Sequence, residues 1–254
     1  MGTASILLLG AIAGLTIFVG LPMGRYRSSS PALRAALSAL ATGILVFLFW
    51  DVMSNGVDPI EGNINGHHWW AFAGEAALLI VGFTLGLMSL VYYEGWMRVR
   101  GAHAGRQLAL LIAVGIGLHN FGEGLAIGQS AASGELSLAL VLIIGFGLHN
   151  TTEGFGIVGP MSGEAELPSW SYLGLLGLIG GGPTFLGTVV GQAWVSTALG
   201  VVFFAAAGGS ILYVVIQLFE VNKRYAKPHL VAWMVLLGML LGFGTDWVLV
   251  AAGA

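Results

Sequence analysis

The chain of 254 residues contains no cysteine. Disulfides are therefore excluded, and so is any metal site built on thiolates. Charge is almost as scarce. Asp, Glu, Lys and Arg together make up 8% of the residues, against about 25% in an ordinary soluble domain. A water-soluble globule does not fit that composition. A net charge of −3 offers no basic surface for nucleic acid. The first residues also lack a basic segment, and the apolar run 4–23 behind them is long enough to span a bilayer. It reads as a first membrane helix rather than a cleaved signal.

What the chain does have is apolar bulk, 57% of its residues, and 41 glycines. Glycine lets membrane helices approach backbone to backbone, which matters because lipid supplies no hydrophobic drive for association. A spanning helix takes roughly 20 mostly apolar residues. Eight segments qualify: 4–23, 33–53, 70–92, 107–130, 136–160, 169–190, 195–218 and 229–252. The expectation is an all-α polytopic membrane protein with eight transmembrane helices, a single transmembrane domain over 1–254. The connections are short and polar, with turn signals such as "SSSP" at 28–31 and "LPS" at 167–169.

The nine basic residues are segregated. Arg25, Arg27 and Arg34 flank the first connection, Arg98, Arg100 and Arg106 the third, and Lys223, Arg224 and Lys227 the seventh. The positive-inside bias puts those three connections in the cytosol and both termini outside. The fifth connection, on the same side, carries Glu164 and Glu166, but acidic residues contribute little to this bias.

A faint internal repeat runs through the apolar text. "GAIAGLTIFVG" at 10–20 aligns without gaps on "GLIGGGPTFLG" at 177–187, matching Gly10/Gly177, Ile12/Ile179, Gly14/Gly181, Phe18/Phe185 and Gly20/Gly187. The same offset pairs Ile44-Leu45 with Ile211-Leu212, and Gly82/Gly86 shares its spacing with Gly238/Gly242. Partners five helices apart cross in opposite directions. Helices one to three and six to eight would then be inverted repeats around central helices four and five, the plan of an alternating-access transporter.

The two central helices carry a duplicated polar motif, "GLHNFGEGLAIG" at 117–128 and "GLHNTTEGFGIVGP" at 147–160. Residues four apart share a helix face. His119 and Glu123 therefore stack on helix four with Asn120 beside them, and His149 and Glu153 stack on helix five with Asn150 adjacent. The helices are antiparallel neighbours, so Glu123 lies outward of the His level and Glu153 inward. A charged residue at mid-bilayer costs roughly 2.5–3.5 kcal/mol on insertion scales. A polar side chain between membrane helices is often only an interhelical hydrogen bond. Two copies at matching depth favour a site instead, and a divalent cation offsets the cost directly. Imidazole and carboxylate suit Zn, Fe, Mn, Co or Ni, and the absence of cysteine argues against Cu(I).

On the residues "HNFGEG" and "HNTTEG", in helices four and five of eight, the chain resembles the ZIP (Zrt/Irt-like) family of divalent-metal transporters. The resemblance implies that His119, Glu123 and Glu153 bind the principal metal and that His149 joins them. Asn120 and Asn150 would line an adjacent position. It further implies import into the cytosol, a homodimer in the bilayer, and no enzyme activity or resident cofactor. The transported ion would be zinc first, with iron, manganese, cobalt and cadmium also suited. The family commonly has proline before the motif Glu, where this chain has Gly122 and Thr152, so weaker or displaced kinks are expected. Two-metal members carry a Glu on helix six in a stretch like "EPLG". Here "GPTFLG" at 182–187 puts Thr184 there, which predicts one principal metal site. The connection between helices three and four has only His103 in place of a histidine-rich run.

Asp51, Asp58, Glu61, His67, His68 and Glu75 gather near the outer ends of helices two and three, either as a cation-concentrating entrance or as a solvated loop beside the interface anchor Trp69/Trp70. Glu75, within its span, reads as the better pathway residue, and Asp246 as one that reaches water. Met161, Glu164 and Glu166 form either an exit or a plain acidic turn. Two other functions use similar residue types. An intramembrane metal-dependent hydrolase would need an open metal position to activate water, but the chain has no H-E-x-x-H. A proton-coupled small-solute carrier would use the triplets as relays.

Overall fold

A computed structural model of the chain describes residues 2–25, 31–98, 104–134, 136–163, 166–194, 196–225 and 227–251. Arg27, Arg100, His103 and Glu164 lie outside the described residues, and the side chains of Arg34, Arg98 and Arg224 likewise. The described residues form helices and connections, with no strand among them. Eight helices are long and apolar enough to cross a membrane: α1 (Thr3–Arg25), α2 (Pro31–Asn65), α3 (Trp69–Arg98), α4 (Ala104–Ala132), α5 (Leu136–Val158), α6 (Trp170–Ala193), α7 (Thr197–Tyr225) and α8 (Pro228–Ala251). The protein is an integral membrane protein. All eight tryptophans are at least half exposed, from Trp96 at 50% to Trp70 at 93%, as suits side chains that meet lipid and its interfaces.

Helix is the expected state here because hydrocarbon offers backbone groups no other partner. Three details depart from plain spans. α1 is interrupted at Thr16, between Thr3–Leu15 and Ile17–Gly20, and ends in a 3₁₀ turn at Leu21–Arg25. α5 ends in a 3₁₀ turn at Gly159–Gly163. α2 runs twelve residues past its expected end at 53, through Gly56 and Pro59. Its 35 residues extend about 52 Å at 1.5 Å per residue, well beyond the roughly 30 Å hydrocarbon core. The extension holds because Val52, Gly56 and Ile60, spaced four apart, form one buried stripe. A Cβ on Gly56 would lie 3.4 Å from Phe204 of α7 and 3.7 Å from Leu79 of α3. The end of α2 is tethered where Asn63 donates to Glu75 at 2.7 Å.

α4 is the central helix: 72% of its most apolar stretch is buried, against 17% in α3 and 11% in α8. α4 packs on α6, α7 and α5, and α1 packs on α6 and α5. α2 packs on α8 and α7, and α3 on α7. Two groups result, α1/α4/α5/α6 and α2/α3/α7/α8, which meet along α4–α7 and α2–α5. Each has its own polar ties. Arg25 stacks its guanidinium over Trp170 at 4.9 Å and donates to the Pro168 carbonyl, joining α1 to α6. Tyr213 donates to Glu94 at 2.9 Å and Asn222 to Thr42 at 3.0 Å, joining α7 to α3 and α2.

Glycines make the crossings possible. A Cβ on Gly14 would fall 2.1 Å from the Gly181 carbonyl oxygen, and one on Gly181 2.1 Å from that of Gly14. A Gly14→Ala change should therefore lower the melting temperature in detergent, with an overpacking cost of about 1–3 kcal/mol. At Gly182 nothing lies within 4 Å, so Gly182→Ala should be neutral or gain about 0.5–1 kcal/mol from helix propensity. Equal melting temperatures for the two variants would overturn the close-packing account.

Candidate metal centre

The polar triplets continue apolar stripes. On α4, Ala109, Ile112, Ala113, Ile116, Asn120, Glu123 and Ile127 all are buried at helical spacing, and His119 lies beside them at 2% exposure. On α5 the stripe is Ala139, Ile143, Asn150, Glu153 and Ile157. The face that an apolar pattern directs inward carries these side chains to the α4–α5 contact, at the middle of both helices. Neither helix breaks at the motif. Gly122 leaves room, with the Phe204 ring 3.6 Å from where its Cβ would stand. Thr152 bonds back to the His149 carbonyl at 2.6 Å, the local alternative open to a threonine in place of proline.

The groups interlock across the two helices. Glu123 Oε1 lies 3.0 Å from His119 Nε2 and in direct contact with His149 Nε2. Glu153 Oε1 lies 3.9 Å from His119 Nε2. The imidazole rings are tilted, with centroids 6.1 Å apart. His119, His149 and Glu153 each offer a ligand atom, all within 4.8 Å of one another. Bonds of about 2.1 Å in a tetrahedral site would place ligand atoms about 3.4 Å apart. The separations of 3.0 and 3.9 Å straddle that value.

Several buried polar atoms here have no hydrogen-bond partner among the described residues: Nδ1 and Nε2 of His119, Oε2 of Glu123, Oε1 of Glu153, and Oδ1 of Asn120 and Asn150. An unsatisfied buried group costs about 1–3 kcal/mol, and more when charged. A divalent cation held by the carboxylates and imidazoles would satisfy the ligand atoms together. The nitrogens of the two amides are committed within the protein. Asn120 Nδ2 donates to Glu153 Oε2 at 3.1 Å and to the Gly180 carbonyl of α6 at 2.9 Å. Asn150 Nδ2 donates to the Ala13 carbonyl of α1 at 3.1 Å. Thr184 is fully buried on α6, and its hydroxyl has no partner among the described residues.

A cavity of about 230 Å³ begins at His119 and Glu123. It runs toward the end of the bundle that holds the C-termini of α4 and α8 and the N-terminus of α5, past Asp51, Asn55, Ala126, Leu142, Phe146, Phe204, Asp246 and Val250. The opposite direction is filled by Ile112, Ile116, Ile157, Leu45 and Leu48, all at most 2% exposed. Of the acidic residues singled out near helices two and three, Asp51 lines the cavity. Asp58, Glu61, His67, His68 and Glu75 are not among its lining, and Glu75 instead accepts from Asn63. Asp246 does more than reach water, because it lines the same space. Its position inside a span was the available signal, since an intramembrane carboxylate is a functional candidate by default. At the other end Met161 is buried in the core at 3%, and Glu166 pairs with Arg106 at 3.7 Å on the surface.

Comparison of the sequence with protein-family models and with curated proteins returns no match.

The cysteine-free chain makes the cavity testable by single substitutions. Asn55→Cys and Ala126→Cys should react with a membrane-impermeant thiol reagent, read as a mass shift. Ile116→Cys and Ile157→Cys should stay unmodified in the folded protein. Labelling of the second pair at the rate of the first would contradict the one-sided opening.

Proposed function

We propose that this chain carries divalent transition-metal ions across the membrane, in the manner that its likeness to ZIP transporters implies. The observation that carries the reading is the set of buried His119, Glu123 and Glu153 and partly buried His149, with unpartnered atoms of His119, Glu123 and Glu153 gathered at the head of a cavity that carboxylates line. Zinc fits this donor set first, and iron, manganese, cobalt and cadmium fit it as well. Oriented by the basic connections, the cavity opens outward, and Asp51 and Asp246 draw cations toward the site. The metal leaves for the cytosol when the two helix groups shift and the apolar plug around Ile116 and Ile157 parts. The homodimer is part of the same proposal.

Alternating access rests on an inverted repeat, and packing contacts support that plan. A Cβ on Gly124 would fall 2.1 Å from the Thr184 carbonyl oxygen, and one on Gly187 2.1 Å from that of Phe121. On the other side, a Cβ on Gly154 would fall 2.5 Å from the Ile17 oxygen, and one on Gly20 2.3 Å from that of Thr151. The second crossing maps onto the first member by member. Gly124 and Phe121 become Gly154 and Thr151, the same step that takes His119 to His149. Gly187 and Thr184 become Gly20 and Ile17, the same step that takes Gly181 to Gly14. α3 on α7 and α8 on α2 are the corresponding outer pairs.

The test is metal uptake into proteoliposomes. Losing an outer-shell partner of a metal ligand typically costs 10–100-fold, so His119→Ala and Glu153→Ala should reduce zinc, manganese, iron and cadmium flux by more than about tenfold. Native flux in both variants would remove the metal-site reading. Metal counting on purified protein should find close to one tightly bound ion per chain, because Thr184 offers only a hydroxyl.

A further inference from the structure

The duplicated motif keeps its spacing for Asn as strictly as for His and Glu, and the two amides commit their nitrogens to different partners. Asn120 uses its Nδ2 on two acceptors, the Glu153 carboxylate at 3.1 Å and the Gly180 carbonyl at 2.9 Å. Both acceptors repel an oxygen, so the amide cannot be turned to bring Oδ1 to that side. A cation on Glu153 would meet the donor end of Asn120. Asn150 directs Nδ2 to the Ala13 carbonyl at 3.1 Å, toward α1 and away from α4.

Each of the two carbonyls lies close to an irregular point of its helix. Pro183 stands inside α6. It has no N–H for the Ile179 carbonyl, and its ring crowds that turn. α4 lies against the released carbonyl: a Cβ on Gly117 would fall 2.3 Å from the Ile179 oxygen and 3.3 Å from the Pro183 ring. Gly180, the next residue, receives Asn120. In α1 the interruption falls at Thr16, whose hydroxyl bonds to the Ala13 carbonyl at 2.7 Å, and that same carbonyl receives Asn150. A Cβ on Gly147 would lie 3.6 Å from Thr16 and 3.8 Å from Ala13. The step that takes Gly14 to Gly181 takes Thr16 to Pro183 and Ala13 to Gly180. Each Asn thus reaches a carbonyl three residues before an irregular point in its neighbour helix.

We propose that Asn120 and Asn150 are positioning residues and not metal ligands: each ties a ligand-bearing helix to its neighbour near an irregular point, α4 to α6 and α5 to α1, and Asn120 also orients the Glu153 carboxylate. The Glu153 arm rests on the metal-site reading above, and the two helix ties do not. A carboxylate held by an amide donor has one oxygen committed and the other aimed, so loss of the donor loosens the ligand without removing it. The ties also account for the duplication of the amides alongside His and Glu.

Co²⁺ binding to the full-length purified protein, followed by its visible ligand-field absorption, separates positioning from ligation. Asn120→Ala should weaken Co²⁺ binding by about 10–100-fold, the range for an outer-shell partner, while its saturated spectrum keeps the native band positions. Asn150→Ala should weaken binding far less. Shifted bands in saturated Asn120→Ala would make Asn120 a ligand and overturn the proposal. Hydrogen exchange tests the ties without any metal. Asn120→Ala should speed exchange around 178–186 and leave 11–18 unchanged, and Asn150→Ala should do the reverse. Unchanged exchange in both variants, or equal acceleration in both segments, would overturn the ties. A native protein that binds no Co²⁺ would remove the metal site and with it the Glu153 arm, leaving the exchange result to decide the ties.

Discussion

A carboxylate at mid-membrane depth must be neutralised where it stands, because an uncompensated charge there is costly. Glu123 and Glu153 stand near the middle of two spans, at 4% and 1% exposure. Much else in the molecule follows from accommodating them. Imidazoles stand against them, Asn120 donates to one of them, and the faces that carry them turn inward. α4 is the most buried span because it bears half of the site and borders both helix groups. α3 and α8 bear none of the motif and present most of their surface to the surroundings.

Close approach of helices is the second requirement. Side chains as short as those of Asn reach a neighbour's backbone only if the helices nearly touch. Glycine provides that: Gly124 and Gly187 let α4 meet α6, and Gly154 and Gly20 let α5 meet α1. The same closeness puts the Gly180 and Ala13 carbonyls within reach of the two amides. High glycine content and buried polar side chains are therefore one design. Larger residues at the crossings would separate the helices and leave the amides without acceptors.

Asymmetry is superimposed on this regular frame. Proline disturbs α6 at 183, while Thr16 interrupts α1 without one. Asn120 reaches a carboxylate as well as a carbonyl, whereas Asn150 reaches only a carbonyl. The cavity opens past Glu123 and not past Glu153. The proposed carrier would need such inequality, since two halves in identical states would open to both sides or to neither. The arrangement described is the one open past Glu123, with the apolar plug closed.

Much of this was legible in the residues alone. Eight runs of apolar residues determined eight helices, because hydrocarbon leaves the backbone no other way to satisfy itself. The four-residue step from His to Glu determined that each pair shares a face, and mid-span placement determined their depth. Periodicity also directed that face inward. It could not name the neighbour. That Asn120 turns toward α6, that Asp246 joins Asp51 at one cavity, and that α2 continues through Pro59 on a Val52–Gly56–Ile60 stripe were decided by tertiary packing. The physical reason is that a helical pattern records which side is buried and how far along it lies. The partner across that side depends on where other helices, distant in sequence, can approach closely enough to touch.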